Sequence, residues 1–185
     1  MVIIGITGTI GAGKGTIVEY LIDKKEFKHF SARNFLVEEV EKRGLENNRD
    51  NLVLVANNLR QKNSPSFVAD ELFKRAIVSG QNCVIESLRT EGEIDSLKKK
   101  GNFTLLAVDA RPEIRYERIL KRLSFTDNVS FEKFLTDEAR EMESTDPNKQ
   151  NLKKCIEMAD FKIDNNGTLD ELNFELEKIL NYSNK

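Results

Sequence analysis

This sequence has no tryptophan, one histidine, two cysteines and three prolines among its 185 residues. Cys83 and Cys155 stand far apart, each in an apolar run, so they give neither a disulfide framework nor the paired spacing of a zinc or redox motif. They read as small core residues in a reducing compartment, which points to the cytoplasm. The lone histidine, His29, excludes a metal centre built on several imidazoles; near Phe27 and Phe30 it reads as a packed or surface residue. No apolar run approaches the roughly 20 residues of a membrane span. Met1 leads straight into an apolar stretch with no basic segment and no cleavage site, so neither a targeting segment nor a membrane partner is expected. The formal net charge of -2 gives no overall positive field for nucleic acid. No repeat, low-complexity stretch or linker divides the chain, and its length suits one core, so residues 1–185 read as a single domain.

What is there is an alternation of short apolar runs with helical patterns. Val2 to Thr7 is a β-branched run, read as a buried strand. A glycine cluster follows, and then Thr16 to Lys25 shows helical spacing through Ile17, Val18, Leu21 and Ile22. Further strands are expected at His29–Ser31, Cys83–Ile85, Asn102–Asp109 and Phe161–Ile163. Helices are expected around Phe35–Val40, over Asp50–Lys62 with Asp50 as cap, and after Ser64-Pro65 as far as Ser79. More helices fit Glu91–Lys100, Arg111–Arg122 and Leu169–Leu180. The alternation implies an α/β fold, a parallel sheet of about five strands covered by helices on both faces. The helical block at 33–79 is long for a crossover and is a candidate substrate-binding insertion.

The strongest single motif is Gly8-Thr9-Ile10-Gly11-Ala12-Gly13-Lys14-Gly15-Thr16, between the first strand and the first helix. Its glycines let the backbone curl so that successive N–H groups face phosphate oxygens. The following helix aims its N-terminus at the same point. Lys14 supplies a mobile positive charge for the outer phosphates of ATP. The strict motif places Ser or Thr directly after the lysine, where its hydroxyl binds Mg²⁺. Here Gly15 stands there and the hydroxyl comes on Thr16, so magnesium is expected to be held largely through water.

The Gly13-Lys14-Gly15-Thr16 ending resembles adenylate kinases and other nucleoside monophosphate kinases. Gly5-Ile6-Thr7-Gly8 and Ile163-Asp164-Asn165-Asn166-Gly167-Thr168-Leu169 also resemble dephospho-coenzyme A kinases. The whole chain is similar to the small adenylate-kinase-related proteins between these groups. The resemblance implies a P-loop NTPase fold, ATP with Mg²⁺ as donor, and transfer to a small phosphorylated acceptor by a monomer or homodimer. It implies that the residues from Gly8 to Thr16 hold the ATP phosphates. It makes Glu86, in Val84-Ile85-Glu86-Ser87-Leu88-Arg89, an acid holding magnesium waters with Thr16, and Arg89 an arginine on the acceptor phosphate. It gives Arg118 the donor adenine and Arg122 the phosphates, with the Asn166-Gly167 turn against the adenine. A lid is implied over about 123–150, sparse in arginine, with Arg140 helped by Lys133 and Lys149.

Two departures bear on the acceptor. Val37 stands where adenylate kinases often carry an arginine for the acceptor phosphate, leaving Arg33 or Arg60 as substitutes. Glu93 stands where a glutamine tends to read adenine. A carboxylate only accepts hydrogen bonds, so a pyrimidine monophosphate is expected to serve better than AMP. The plainer readings of these residues are a surface Glu–Arg pair, a solvated basic helix face and an exposed helix glutamate. Two other functions fit the motif. A kinase for dephospho-coenzyme A or another alcohol would use Glu86 or Asp109 as base. A nucleotide switch or ATPase would turn over without acceptor.

Overall fold

The computed structural model describes residues 1–122 and 129–183; 123–128, the start of the expected lid, lie outside them. The first strand, β1 (Ile3–Gly8), is buried along its whole length. Its alternating side chains feed two separate cores. Ile3 joins one apolar cluster, and Ile4 and Ile6 join the other. A strand buried on both faces must be covered by helices on both, and the rest of the chain supplies them.

Strands β2 (Lys28–Ser31), β3 (Cys83–Glu86), β4 (Phe103–Asp109) and β5 (Phe161–Asp164) complete a five-stranded sheet in the order β2-β3-β1-β4-β5. Every pairing is parallel. Helices α1 (Lys14–Lys25) and α9 (Leu169–Ser183) cover one face, through Ile17, Val18, Leu21, Leu172 and Leu176. The other face is covered by α2 (Ala32–Lys42), α3 (Arg49–Lys62), α4 (Phe67–Ser79), α5 (Glu91–Lys99) and α8 (Leu152–Glu157). Two further helices, α6 (Pro112–Lys121) and α7 (Phe131–Met142), pack together through Tyr116, Phe131 and Phe134.

The chain leaves β1 toward β2 and β3 on one side, then crosses to β4 on the other. That reversal opens a crevice beyond the carboxyl end of β1, where α/β sheets bind ligands. Both cysteines are buried, as expected of core residues.

Two helix starts differ from expectation. The cap of α3 is Asn48, whose side chain accepts from the Asn51 N–H at 2.9 Å, and Asp50 lies inside the first turn. Pro65 does not open α4. The Phe67 N–H bonds the Ser64 carbonyl at 3.0 Å, which makes Ser64 to Phe67 a turn before the helix. No described helix is long and apolar enough to cross a membrane.

Candidate functional site

The glycine loop runs from the end of β1 into α1. Gly8 has φ 139°, and a Cβ there would lie 2.0 Å from the Val108 carbonyl oxygen, so only glycine lets the strand end this close to β4. Gly13 caps α1 in the left-handed region, with no side chain over the first N–H groups and no acid in the first turn. A cap of that kind leaves the helix N-terminus open to an anion. Lys14 folds back over the loop and donates to the carbonyls of Gly8 at 2.9 Å and Thr9 at 2.7 Å. Burial first, and then the Arg89 charge, push its ammonium down to about 7. Arriving phosphate would reverse that shift, because an anion favours the charged form.

Loop and Lys14 form one wall of a cavity of about 490 Å³. Glu86, Ser87 and Arg89, at and after the carboxyl end of β3, form the next. Burial raises the Glu86 carboxyl, but a hydrogen bond from His29 and the Lys14 charge outweigh it, so Glu86 sits below the usual carboxylate range. The His29 Nε2 to Glu86 Oε2 distance is 3.1 Å. The lone histidine therefore orients the acid from the neighbouring strand, where β2 pairs Ser31 opposite Glu86. Ser87 has φ 70° and donates its hydroxyl to Glu86 Oε1 at 3.2 Å.

Arg89 reaches across to α7. Its Nη1 bonds the Glu141 carboxylate and Gln150 Oε1, the latter at 2.9 Å. Glu141 also receives Arg49 Nη2 at 2.6 Å, so one buried carboxylate joins two cavity arginines. Burial pushes the Glu141 carboxyl up, but Arg89 and Arg49 together hold it below its usual range. Arg115 ties α6 and α7 to the loop: it is buried, donates to the carbonyls of Ala110 and Ile10, and pairs with Glu138 at 2.8 Å. Arg49, Arg115, Glu141, Gln150 and the His29 pairing were not expected from sequence, since each depends on contacts between distant segments.

The remaining wall is α2 and α3, with Arg33, Leu36, Leu52, Val53, Ala56 and Arg60 on the cavity. Val37 is off the cavity and packs, partly buried, against the core. Arg118 and Arg122, from α6 and the residue after it, also line the cavity. Asn166 and Gly167 do not. The Asn166 side-chain Oδ1 accepts from the Arg111 N–H at 2.7 Å, joining the turn after β5 to the start of α6.

One expected role is overturned. Glu93 lies inside α5, 1% exposed and off the cavity wall. Its Oε2 accepts from the backbone N–H groups of Arg89 and Thr90, closing a capping box with Thr90. Its Oε1 takes Arg60 at 2.8 Å. A carboxylate so occupied is a helix cap and counter-ion, and does not read a base. Of the two alternative base candidates, only Glu86 lines the cavity. Asp109 is engaged with Thr9 and its own following N–H on the far side of β1.

No cluster of three or more metal-ligating side chains occurs among the described residues. Thr16 and the ionised Glu86 offer two oxygens beside the loop, a set that fits Mg²⁺ held mainly by phosphates and water.

Residues 4–146 match a family model described as an AAA domain. A UPF0200 protein of Sulfurisphaera tokodaii is 30% identical over 182 residues, covering 96% of this chain and 95% of that one. A protein of Thermus thermophilus superposes with a TM-score of 0.60 at 21% identity, over 98% of this chain and 97% of that one. Shikimate kinase from Bacteroides thetaiotaomicron superposes at 0.57 with 12% identity, over 97% and 98%. At such identities the solved structures establish the fold, which is the α/β P-loop NTPase fold.

Proposed function

We propose that this chain, which belongs to the UPF0200 family, is an ATP-dependent phosphotransferase acting on a nucleoside or deoxynucleoside monophosphate. The observation that carries the reading is the composition of the cavity beside the glycine loop. An open helix N-terminus and Lys14 meet Arg89 and Arg49 across it, and an apolar slot of Leu36, Leu52, Val53 and Ala56 continues from the arginines. Donor phosphates suit the first group, an acceptor phosphate the second, and a flat apolar ring the slot.

In this reading the loop N–H groups and Lys14 hold the β and γ phosphates, and Thr16 touches a phosphate. Arg118 and Arg122 face the donor, and Arg33 stands beside the acceptor. Glu86 and Thr16 would hold Mg²⁺ through water; when bound, the ion neutralises charge on the transferring phosphoryl group. Arg89 releases Glu141 and forks onto the acceptor phosphate, positioning its oxygen in line. No base is needed, since the attacking oxygen is already an anion. Helices α2–α4 then form the acceptor side, and the described part of the expected lid, residues 129–150, excludes water from the γ phosphate.

A second reading rests on Glu86, the ionised carboxylate on the cavity wall. It could take a proton from a hydroxyl acceptor, such as dephospho-coenzyme A or a small alcohol like the shikimate of the structural neighbour. One assay separates the two. The protein is incubated with Mg·ATP and a panel of monophosphates, dephospho-coenzyme A, shikimate and gluconate, and ADP is measured. Turnover with a monophosphate supports the first reading. Turnover only with an alcohol supports the second. Equal ADP release with no acceptor rejects both.

A further inference from the structure

Arg60 is only 3% exposed, yet it stands on the cavity wall. Its Nε and Nη2 hold Glu93 Oε1 at 3.2 and 2.8 Å. Its Nη1 is buried and has no hydrogen-bond partner among the described residues. A buried guanidinium N–H without a partner is rare, because leaving it unpaired is strongly unfavourable. On α3, Val53, Ala56 and Arg60 follow at helical spacing, so the apolar slot ends at this group.

We infer that Arg60 reads the far edge of the acceptor's ring and selects an edge that carries oxo groups over one that carries an amino group. This rests on the monophosphate reading above. Two features fix the chemistry. A guanidinium only donates, so it pairs with a carbonyl oxygen or bare ring nitrogen and meets an amino group donor to donor. Its charge is already balanced by Glu93, so it suits a neutral oxygen, and a phosphate there would be a second buried anion with no added cation. Uracil and thymine present O4, and guanine presents O6 with N7. Cytosine presents an amino group at the corresponding place, and adenine an amino group beside its N7, which leaves one acceptor where guanine has two. The Arg60–Glu93 pair thus takes over, with opposite sign, the role expected of Glu93 alone. The selected acceptors are UMP, dTMP or GMP, and CMP and AMP are disfavoured.

The test is a set of kcat/KM values for UMP, dTMP, GMP, CMP and AMP at saturating Mg·ATP. They are measured for the wild type and for the double variant Arg60→Met/Glu93→Gln. The double variant removes both buried charges together and keeps a glutamine able to complete the capping box, so the fold is retained. In the wild type at least one oxo-edged acceptor exceeds both CMP and AMP by roughly ten- to a hundredfold, the value of a charge-assisted hydrogen bond. In the double variant that ratio collapses through the acceptor KM, with the KM for ATP unchanged. If the double variant melts below assay temperature, Arg60→Gln, whose amide accepts as well as donates, carries the same ratio test. AMP or CMP turning over as well as the oxo-edged acceptors, or a ratio that survives the substitution, overturns the inference and leaves the kinase reading standing. No transfer to any monophosphate removes both.

Discussion

The side-chain amide of Asn165 donates to the Ala12 carbonyl at 2.8 Å, joining residues 153 positions apart. Through it the turn after the last strand fixes the curl of the phosphate loop. A Cβ on Gly13 would lie 2.3 Å from the same amide nitrogen, so the glycine is required by this contact as well as by its φ of 108°. Asn165→Ala leaves a buried carbonyl unpaired, worth about 1–3 kcal/mol. Steady-state titration should show a rise in the KM for ATP of about tenfold, and a melt a fall of a few degrees in Tm. A lower Tm with an unchanged KM would make Asn165 a residue of the fold alone.

Lys14→Ala should reduce phosphoryl transfer by more than about a hundredfold while the protein stays folded, because the charge matters only where phosphates gather. Its titration gives a second handle. With the ammonium pushed down to about 7, the unfolded chain holds more protons than the folded one between that value and the ordinary lysine value of 10.5. Stability from this group therefore rises with pH across that window, and the penalty is fully present below it. Lys14→Met should melt higher than the wild type at pH 6, with the difference fading by pH 10. Mg·ATP restores the charged form, so calorimetry at pH 8 in buffers of different ionisation enthalpy should show proton uptake on binding in the wild type. Uptake of equal size in Lys14→Met would refute the assignment.

The fold was legible because its signals are local. Gly8 to Thr16 needs no partner to be read, and Ile3 to Thr7 and Phe103 to Asp109 carry the apolar runs of strands buried on both faces. The candidate site was legible where it follows a strand end, as with Glu86 and Arg89, both on the cavity. It was hidden where pairing decides the role. Glu93 follows Thr90 by three positions, a capping-box spacing present in the sequence, and that signal favoured a helix cap over a base reader. Arg60 and Arg49 lie at opposite ends of α3 and Glu141 lies on α7, and they acquire meaning only when the fold brings them to one cavity. His29 read as a packed or surface residue because nothing in the chain announces that β2 runs beside β3.

Glu86→Gln removes the anionic oxygen beside the loop and replaces the acceptor of the His29 bond with a neutral one. If Glu86 orients magnesium waters, the Mg²⁺ concentration giving half-maximal activity should rise by roughly 10- to 100-fold, as outer-shell substitutions do. ATP binding measured in EDTA should change little. A fall in activity that magnesium does not restore, seen only with hydroxyl acceptors, would instead favour Glu86 as a base.

Glu141 holds Arg49 and Arg89 together where the proposed acceptor phosphate would sit. A carboxylate between two guanidiniums is the closest thing the chain has to that phosphate. Glu141→Gln leaves the two cations without their anion, so Tm should fall by several degrees in plain buffer. Inorganic phosphate or sulfate should restore more of it in the variant than in the wild type, since the added anion fills a place already vacated. Arg89→Ala gives the opposite pattern. It should raise the KM of the acceptor far more than that of ATP, because a bidentate arginine on a desolvated phosphate is worth about 2–4 kcal/mol. Anion rescue of equal size in wild type and Glu141→Gln would mean that Glu141 does not occupy the acceptor's place. Equal effects of Arg89→Ala on both substrates would remove Arg89 from it as well.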